Sequence, residues 1–307
     1  TDGALALAAR SGWWQGKALP VQTIRLTAAS RSEDLVSSFS AGDIGLVDVD
    51  LMGTNAPGYS GSYQTWDYAT TELLYLGLNT QSGLCRAPEV RQAIARAIDR
   101  TSIVQVDFAR HAVAAGLPVH PSSPLYNAAQ AGTLGYSPQQ SQTALEQLRL
   151  TGRSVTLVVN TENTAKVSAA QRIAAQLEAV GLTVHLSRLS YDSYVSALAA
   201  GNFDLYLGQV TLTGDFDLAP LLSSSGSLNY GRWQDALGDA LLSAFQSAQG
   251  ETRTKAASDL FAYLNQQAPI VPVCFKNGSV LTQWSRLSGL SPVRGNVFYQ
   301  LENWKLS

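Results

Sequence analysis

Residues 154–160, SVTLVVN, form a short β-branched run, and beyond them Val167, Ala170, Ile173, Ala174, Leu177 and Val180 recur at helical spacing as far as Gly181. A strand followed by a helix is the simplest reading. Leu182, Val184, Leu186 and Leu189 then alternate loosely as a second strand. YDSYVSALAAG reads as a second helix closed by Gly201, and FDLYLGQV makes a third strand. The order is βαβαβ, the pattern of a parallel sheet with right-handed crossovers. Ligands of open parallel sheets sit beyond the carboxyl ends of the strands. Three such ends, residues 160–163, 190–192 and 209–217, are expected to converge on a crevice.

Other segments fill in the architecture. APEVRQAIARAIDR has Pro88 at a first helical position and Val90, Ile94, Ala97 and Ile98 on one face, which predicts a helix with its arginines outward. SPQQSQTALEQLRL and TRTKAASDLFAYLNQQ read as further amphipathic helices, the second stopped by Pro269. In IVPVCFKNGSVLTQW, Asn277-Gly278 between apolar runs predicts a hairpin with a type I′ turn, a better explanation of these residues than the glycosylation sequon they also spell. Residues 53–63 are the most loop-like part of the chain.

With 307 residues, length suggests about two domains at roughly 150 residues each. Lys and Arg total 21 against 23 Asp and Glu, so there is no basic field to collect on phosphates, and a nucleic-acid partner is not expected. No apolar run approaches the ~18 residues needed to span a bilayer, and TDGALALAAR lacks the parts of a signal peptide, so the chain reads as soluble. Cys85 and Cys274 sit in or just after apolar runs and read as buried inert thiols, with a disulfide as the alternative. Low charge with abundant Ser, Thr, Gln and Asn suits an exported protein.

Signatures of catalysis are missing from the sequence. His111, His120 and His185 lack metal-protease spacing, and His185 falls in a predicted strand where a core or surface histidine is the simpler reading. GYSGS at Gly58 departs from a nucleophile elbow at Ser62, and no glycine-rich phosphate loop occurs. Asp215 and Asp217, two apart in a loop, are poorly placed to bracket a sugar at the ~5 to 9 Å that glycosidase carboxylates require. No enzyme activity, metal or cofactor is therefore expected.

GWWQGKALPVQTIRL, SFSAGDIGLVDVD, YLGLNT, PEVRQAIARAIDR, YSPQQSQTALEQL, GNFDLYLG, TGDFDLAPLL and APIVPV occur in an order and spacing that resembles the bacterial family-five extracellular solute-binding proteins. These are the oligopeptide, dipeptide and nickel-type receptors of ABC importers. The resemblance runs from about Gly12 to Trp304, and its strongest element is Asn79 followed by VRQAIARAIDR.

The resemblance implies an α/β, two-lobed periplasmic-binding-protein-like fold of type II, with the βαβαβ unit in a complete lobe and an incomplete first lobe. Residues 1–75 and 270–307 are assigned to lobe I and residues 76–269 to lobe II, with ELLYLGLNT and PIVPVCFKN as hinge strands. Full-length members carry roughly another two hundred residues before the tryptophan-rich stretch, so this chain resembles a carboxy-terminal portion. The implied function is capture of short peptides in an interlobe cleft, with permease subunits as partners. A monomer is implied, extracellular or periplasmic, held to the membrane only by a lipid anchor on preceding polypeptide. Alternatives are a sensing or interaction module without a transport role, or a receptor for a nickel chelate, haem or an oligosaccharide.

In peptide-binding relatives an Asp in an Asp-Tyr-x-x-Pro-like stretch pairs with the ligand ammonium. DFDLAP places Asp215 there, with Phe216 as the aromatic and Pro220 shifted by one. Asp217, Asn229, Tyr230, Arg232 and Trp233 complete the expected ligand wall, with Trp66 and Tyr68 on the first-lobe side. The competing readings are structural: Asp215 or Asp217 as a turn or helix cap, NYGRW as loop packing, Arg232 facing solvent, and Trp66 and Tyr68 as core aromatics. Trp13 and Trp14 read as structural.

Overall fold

The computed structural model describes residues 5–10, 12 and 16–307, so Trp13 and Trp14 lie outside the described residues. Two compact units emerge, one from Thr1–Ala69 with Asn277–Ser307 and the other from Thr70–Lys276. The chain passes from one to the other twice, once within each of its two longest strands.

In chain order the first unit contributes β1 (Leu5–Ala8), β2 (Thr23–Leu26), α1 (Ser32–Ala41), β3 (Leu46–Val49) and the start of β4 (Tyr63–Leu78). The second holds the rest of β4, then α2 (Pro88–Ala97), α3 (Arg100–Ser102), β5 (Ala112–Ala114), α4 (Ala128–Gly132), α5 (Pro138–Gln147), β6 (Ser154–Asn160) and α6 (Thr164–Ala179). It continues through β7 (Thr183–Leu189), α7 (Tyr191–Ala200), β8 (Leu205–Thr211), α8 (Ala219–Leu222), α9 (Ala236–Ser247) and α10 (Gly250–Gln267) into β9 (Ile270–Gln283). The end of β9, β10 (Leu287–Ser288) and β11 (Lys305–Leu306) belong to the first unit.

The expected βαβαβ unit is present with its strands and helices in the expected places. β6 pairs in parallel with both β7 and β8, and α6 and α7 are the crossovers. The strand order β9–β4–β8–β6–β7 makes the sheet mixed, because β4 runs antiparallel to β8 over Leu73↔Val210 to Leu78↔Leu205. The crossing strands β4 and β9 are neighbours in that order.

Residues 73–76 and 78 of β4 are all buried, so both faces of the sheet are covered there. One face packs Leu73, Tyr75, Val158, Tyr206 and Phe275 against Tyr194 and Leu198 of α7 and against Phe245 and Phe261 of α9 and α10. Ile173 and Leu177 of α6 are fully buried, and burying each such side chain stabilises by about 1.5–3 kcal/mol.

Two expectations are corrected. Asn277-Gly278 does not turn the chain but lies inside β9, which runs unbroken past it. Gly278 is there for close approach: a Cβ at this position would fall 2.2 Å from Cζ of Tyr68, whose ring covers the strand. The absent side chain, not a positive φ, explains the glycine.

Two of the arginines expected to face outward, Arg91 of α2 and Arg100 of α3, do not. Arg91 is buried and donates to the carbonyls of Gln267, Ala268, Cys85 and Arg86. Arg100 is buried too, donating to the carbonyls of Pro272 and Leu134 at 2.8 and 3.2 Å. Each guanidinium, with its five fixed donors, is spent on backbone carbonyls. Arg91 does so at the carboxyl end of α10, where a cation also complements the helix dipole. Burial lowers both guanidinium pKa values, that of Arg100 to about 10.

Cys85 and Cys274 are free and fully buried. Burial pushes the Cys85 thiol up to about 12 and that of Cys274 higher still, so both are protonated and inert near neutral pH.

Candidate functional site

The carboxyl ends of β6, β7 and β8 lie at one edge of the parallel unit, as the topology requires. β6 ends at Asn160, and the chain turns through Glu162 into α6, whose N-cap Asn163 accepts from the Lys166 N–H at 2.9 Å. Lys166 stands in the first turn of α6 and is buried, although the helix amino terminus disfavours a cation. Its Nζ donates to Asn160 Oδ1 at 2.6 Å and lies 4.9 Å from the centroid of the Tyr194 ring. Burial pushes this ammonium down to about 8, an effect that Glu162 partly offsets.

Glu162 ties the neighbouring ends together. Its carboxylate accepts from Asn160 Nδ2 at 2.8 Å and from the Tyr191 N–H at 2.7 Å. The Tyr191 bond caps α7 from outside the helix, where the N-cap Ser190 makes no capping bond and its hydroxyl donates to Ser193 Oγ. These hydrogen bonds hold the Glu162 carboxyl below the usual carboxylate range. Tyr194, one turn further on, donates to the Leu207 carbonyl at 2.9 Å, and burial raises its pKa. Tyr191 itself is 59% exposed at this edge.

At the end of β8, Gln209 donates to Glu72, which forms a 3.2 Å ion pair with the buried Lys276. Beyond the strand, Phe216 takes a positive φ of 59° and sends its ring into the core, 6.0 Å from that of Phe275. A left-handed aromatic is costly, and here core burial opposes the cost. Asp215 is left outside, its side chain 62% exposed, with Arg253 Nη2 at 3.7 Å. Arg253 also holds the Asp215 carbonyl at 2.7 Å, and the Thr213 hydroxyl keeps the Asp215 carboxyl below its ordinary range. Asp217 is occupied locally, accepting from the Ala219 N–H at 2.9 Å and from Gln246 Nε2 at 2.7 Å.

The remaining sequence-derived candidates are not all brought to this edge. Arg232 donates to the Ala199 carbonyl at 2.9 Å, at the end of α7, and Gly231 accepts from Thr80, just past β4. Both contacts lie where β8 begins, so residues 229–233 stand at the opposite end of the strand from Asp215. Seven residues of strand separate the two ends by roughly 20 Å.

Within that loop Asn229 spends its amide on the Ser223 and Trp233 carbonyls and the Trp233 N–H. Tyr230 meets the Tyr206 ring edge-on at 6.3 Å, and Trp233 is buried beside Tyr263. Trp66 and Tyr68 belong to the first unit, where they donate to Thr282 Oγ1 at 3.0 Å and Asp48 Oδ1 at 2.8 Å.

Lys166, Asn160 and Glu162 were not singled out by sequence reasoning. The available signal was their place: Asn160 and Glu162 fall in the first predicted strand end, and Lys166 follows within one turn.

With this geometry in view, comparison with known proteins is decisive about class. Residues 1–230 match the family described as bacterial extracellular solute-binding proteins, family 5 Middle, and the chain belongs to that family. Haem-binding protein A of Haemophilus influenzae is 23% identical over 295 residues, covering 91% of this chain and 53% of that protein. The peptide transport periplasmic protein SapA of Salmonella typhimurium is 26% identical over 292 residues, covering 88% and 51% respectively. The chain thus spans about half the length of the curated relatives it matches. The solved structure of HbpA2 from Haemophilus parasuis superposes with a TM-score of 0.76 at 22% identity, covering all of this chain and 62% of that one, which establishes a type II periplasmic-binding-protein fold.

Proposed function

We propose that this chain is the solute-binding part of a non-catalytic capture protein serving an ABC importer, and that its leading solutes are short peptides. The observation that carries the reading is the exposed Asp215 carboxylate on the loop leaving β8, at the carboxyl edge of a parallel unit in a family-five chain. A peptide ammonium taken out of water needs a carboxylate with its remaining lone pairs satisfied, and Asp215 is ionised and flanked by donors. An extended peptide adds main-chain hydrogen bonds that are indifferent to its side chains.

Asp215 is the leading contact in this proposal, with Tyr191 and Glu162 added beside it. Phe216 and Asp217 shape the loop rather than meet the solute, and residues 229–233 stay outside the proposed site. The lobe assignment, with residues 1–75 and 270–307 in one lobe and 76–269 in the other, belongs to the same proposal. So do the permease partners, the extracytoplasmic location, monomeric action and a lipid tether.

Haem is the second solute class, because one relative is named for it. Calorimetric titration with free and amino-acetylated di- to pentapeptides, and with haem and a nickel–histidine chelate, tests the reading. Binding of free but not acetylated peptides is the expected result. Binding of haem or the chelate alone would replace the peptide assignment.

A further inference from the structure

Lys166 is an expensive side chain in an unobvious place. A buried ammonium in the first turn of a helix is disfavoured by both desolvation and the helix dipole, and the hydrogen bond described for it is donated to the oxygen of a neutral amide. An apolar residue would fill the same space at lower cost. What the ammonium adds is a short charge-assisted bond that fixes which way the Asn160 amide points.

With Oδ1 held by Lys166, the Nδ2 of Asn160 is turned to Glu162, and Glu162 is thereby aimed at the Tyr191 N–H. The links run in series from the end of β6 to the first turn of α7, and each polarises the next. The cap is needed because Ser190 supplies none to α7. Tyr191 and Asp192, both exposed, are carried by that first turn.

We propose that Lys166 is the positioning residue of the strand-end site: acting through Asn160 and Glu162, it sets the first turn of α7 against the end of β6 before a solute arrives. The inference rests on the solute reading above, because it takes this edge as the binding surface. Lys166 itself does not touch the solute. Its effect is pre-organisation of Tyr191 and Glu162, which lowers the ordering cost of binding.

The test combines amide hydrogen exchange at residues 189–194 with binding of the peptide series, for wild type, Lys166→Met, Lys166→Arg, Glu162→Ala and the Lys166→Met/Glu162→Ala double variant. Lys166→Met is expected to speed exchange at Tyr191 about tenfold while the interior of α6 is unchanged, and Lys166→Arg to restore most of the protection. Glu162→Ala removes an exposed side chain, folds regardless, and should open the same segment, with no further opening in the double variant. Peptide affinity should fall about tenfold in Lys166→Met and recover in Lys166→Arg.

Unchanged exchange at Tyr191 in both single variants would overturn the relay. Faster exchange with unchanged peptide affinity would overturn the positioning role while leaving the peptide reading intact. Failure of wild type to bind any probe would overturn the solute reading, and the positioning role with it, whatever the exchange shows.

Discussion

Replacing Lys166 by Met removes a buried titrating group without changing the length of the side chain much, and the structure sets the size of the effect. In the folded chain burial pushes the ammonium from its ordinary 10.5 down to about 8. Between those values the unfolded chain holds a proton that the folded chain has released, so this group makes stability rise with pH. Below about pH 8 both states are protonated and the desolvation penalty is felt in full. From about pH 7 to about pH 9.5 the rise attributable to Lys166 is about 2 kcal/mol.

Cys85 and Cys274 act in the opposite sense over the upper part of this range. Their thiol pKa values are raised by burial, so the unfolded chain loses those protons first and stability falls. The absolute curve is a sum, and only the difference between wild type and Lys166→Met isolates the lysine. Urea unfolding followed by tryptophan fluorescence at the two pH values measures it. The stability of wild type relative to the variant is expected to increase by about 2 kcal/mol from the lower pH to the higher. The orphaned Asn160 acceptor adds a pH-independent offset that cancels. A difference constant to within about 0.5 kcal/mol would refute the claim that the ammonium is desolvated in the folded state.

Arg91→Met strips four carbonyls of their donor and should cost about 3 kcal/mol or more in urea unfolding; a loss below about 1 kcal/mol would mean that water replaces the guanidinium. Gly278→Ala drives a methyl into the Tyr68 ring and should destabilise by about 1–3 kcal/mol, with Tyr68→Ala in the same chain recovering part of the loss. Asp215→Asn should weaken binding of free peptides by about 2–5 kcal/mol if the pair is desolvated, leave the thermal midpoint unchanged, and have no effect on acetylated peptides. Equal losses for both peptide forms in calorimetry would reject the ammonium role.

Local pattern determined a good deal of this protein. The β-branched run at 154–160, the helical period ending at Gly181 and the alternation after it were enough to specify the βαβαβ unit, because periods of two and 3.6 are properties of neighbouring residues. The strand ends at 160–163, 190–192 and 209–217 follow from that order, whereas the family resemblance rested mainly on other segments, most strongly on Asn79 followed by VRQAIARAIDR.

Only tertiary structure decided the rest, because the deciding partners are remote in sequence. Asn277-Gly278 carries every local mark of a turn, yet Tyr68, more than two hundred residues earlier, lays its ring over Gly278, and pairing across the sheet keeps the strand extended. Arg91 has the look of a solvent-facing helix residue until the end of α10 arrives with carbonyls in need of donors. Residues 229–233 read as continuous with the Asp215 loop, but hydrogen bonds from Thr80 and to Ala199 hold them at the far end of β8. Lys166 is one lysine among the ordinary polar positions of a helix until Tyr194 and Asn160 close over it. Burial and hydrogen-bond satisfaction depend on which distant groups come within a few ångströms, and the local periodicity of the chain carries no record of that.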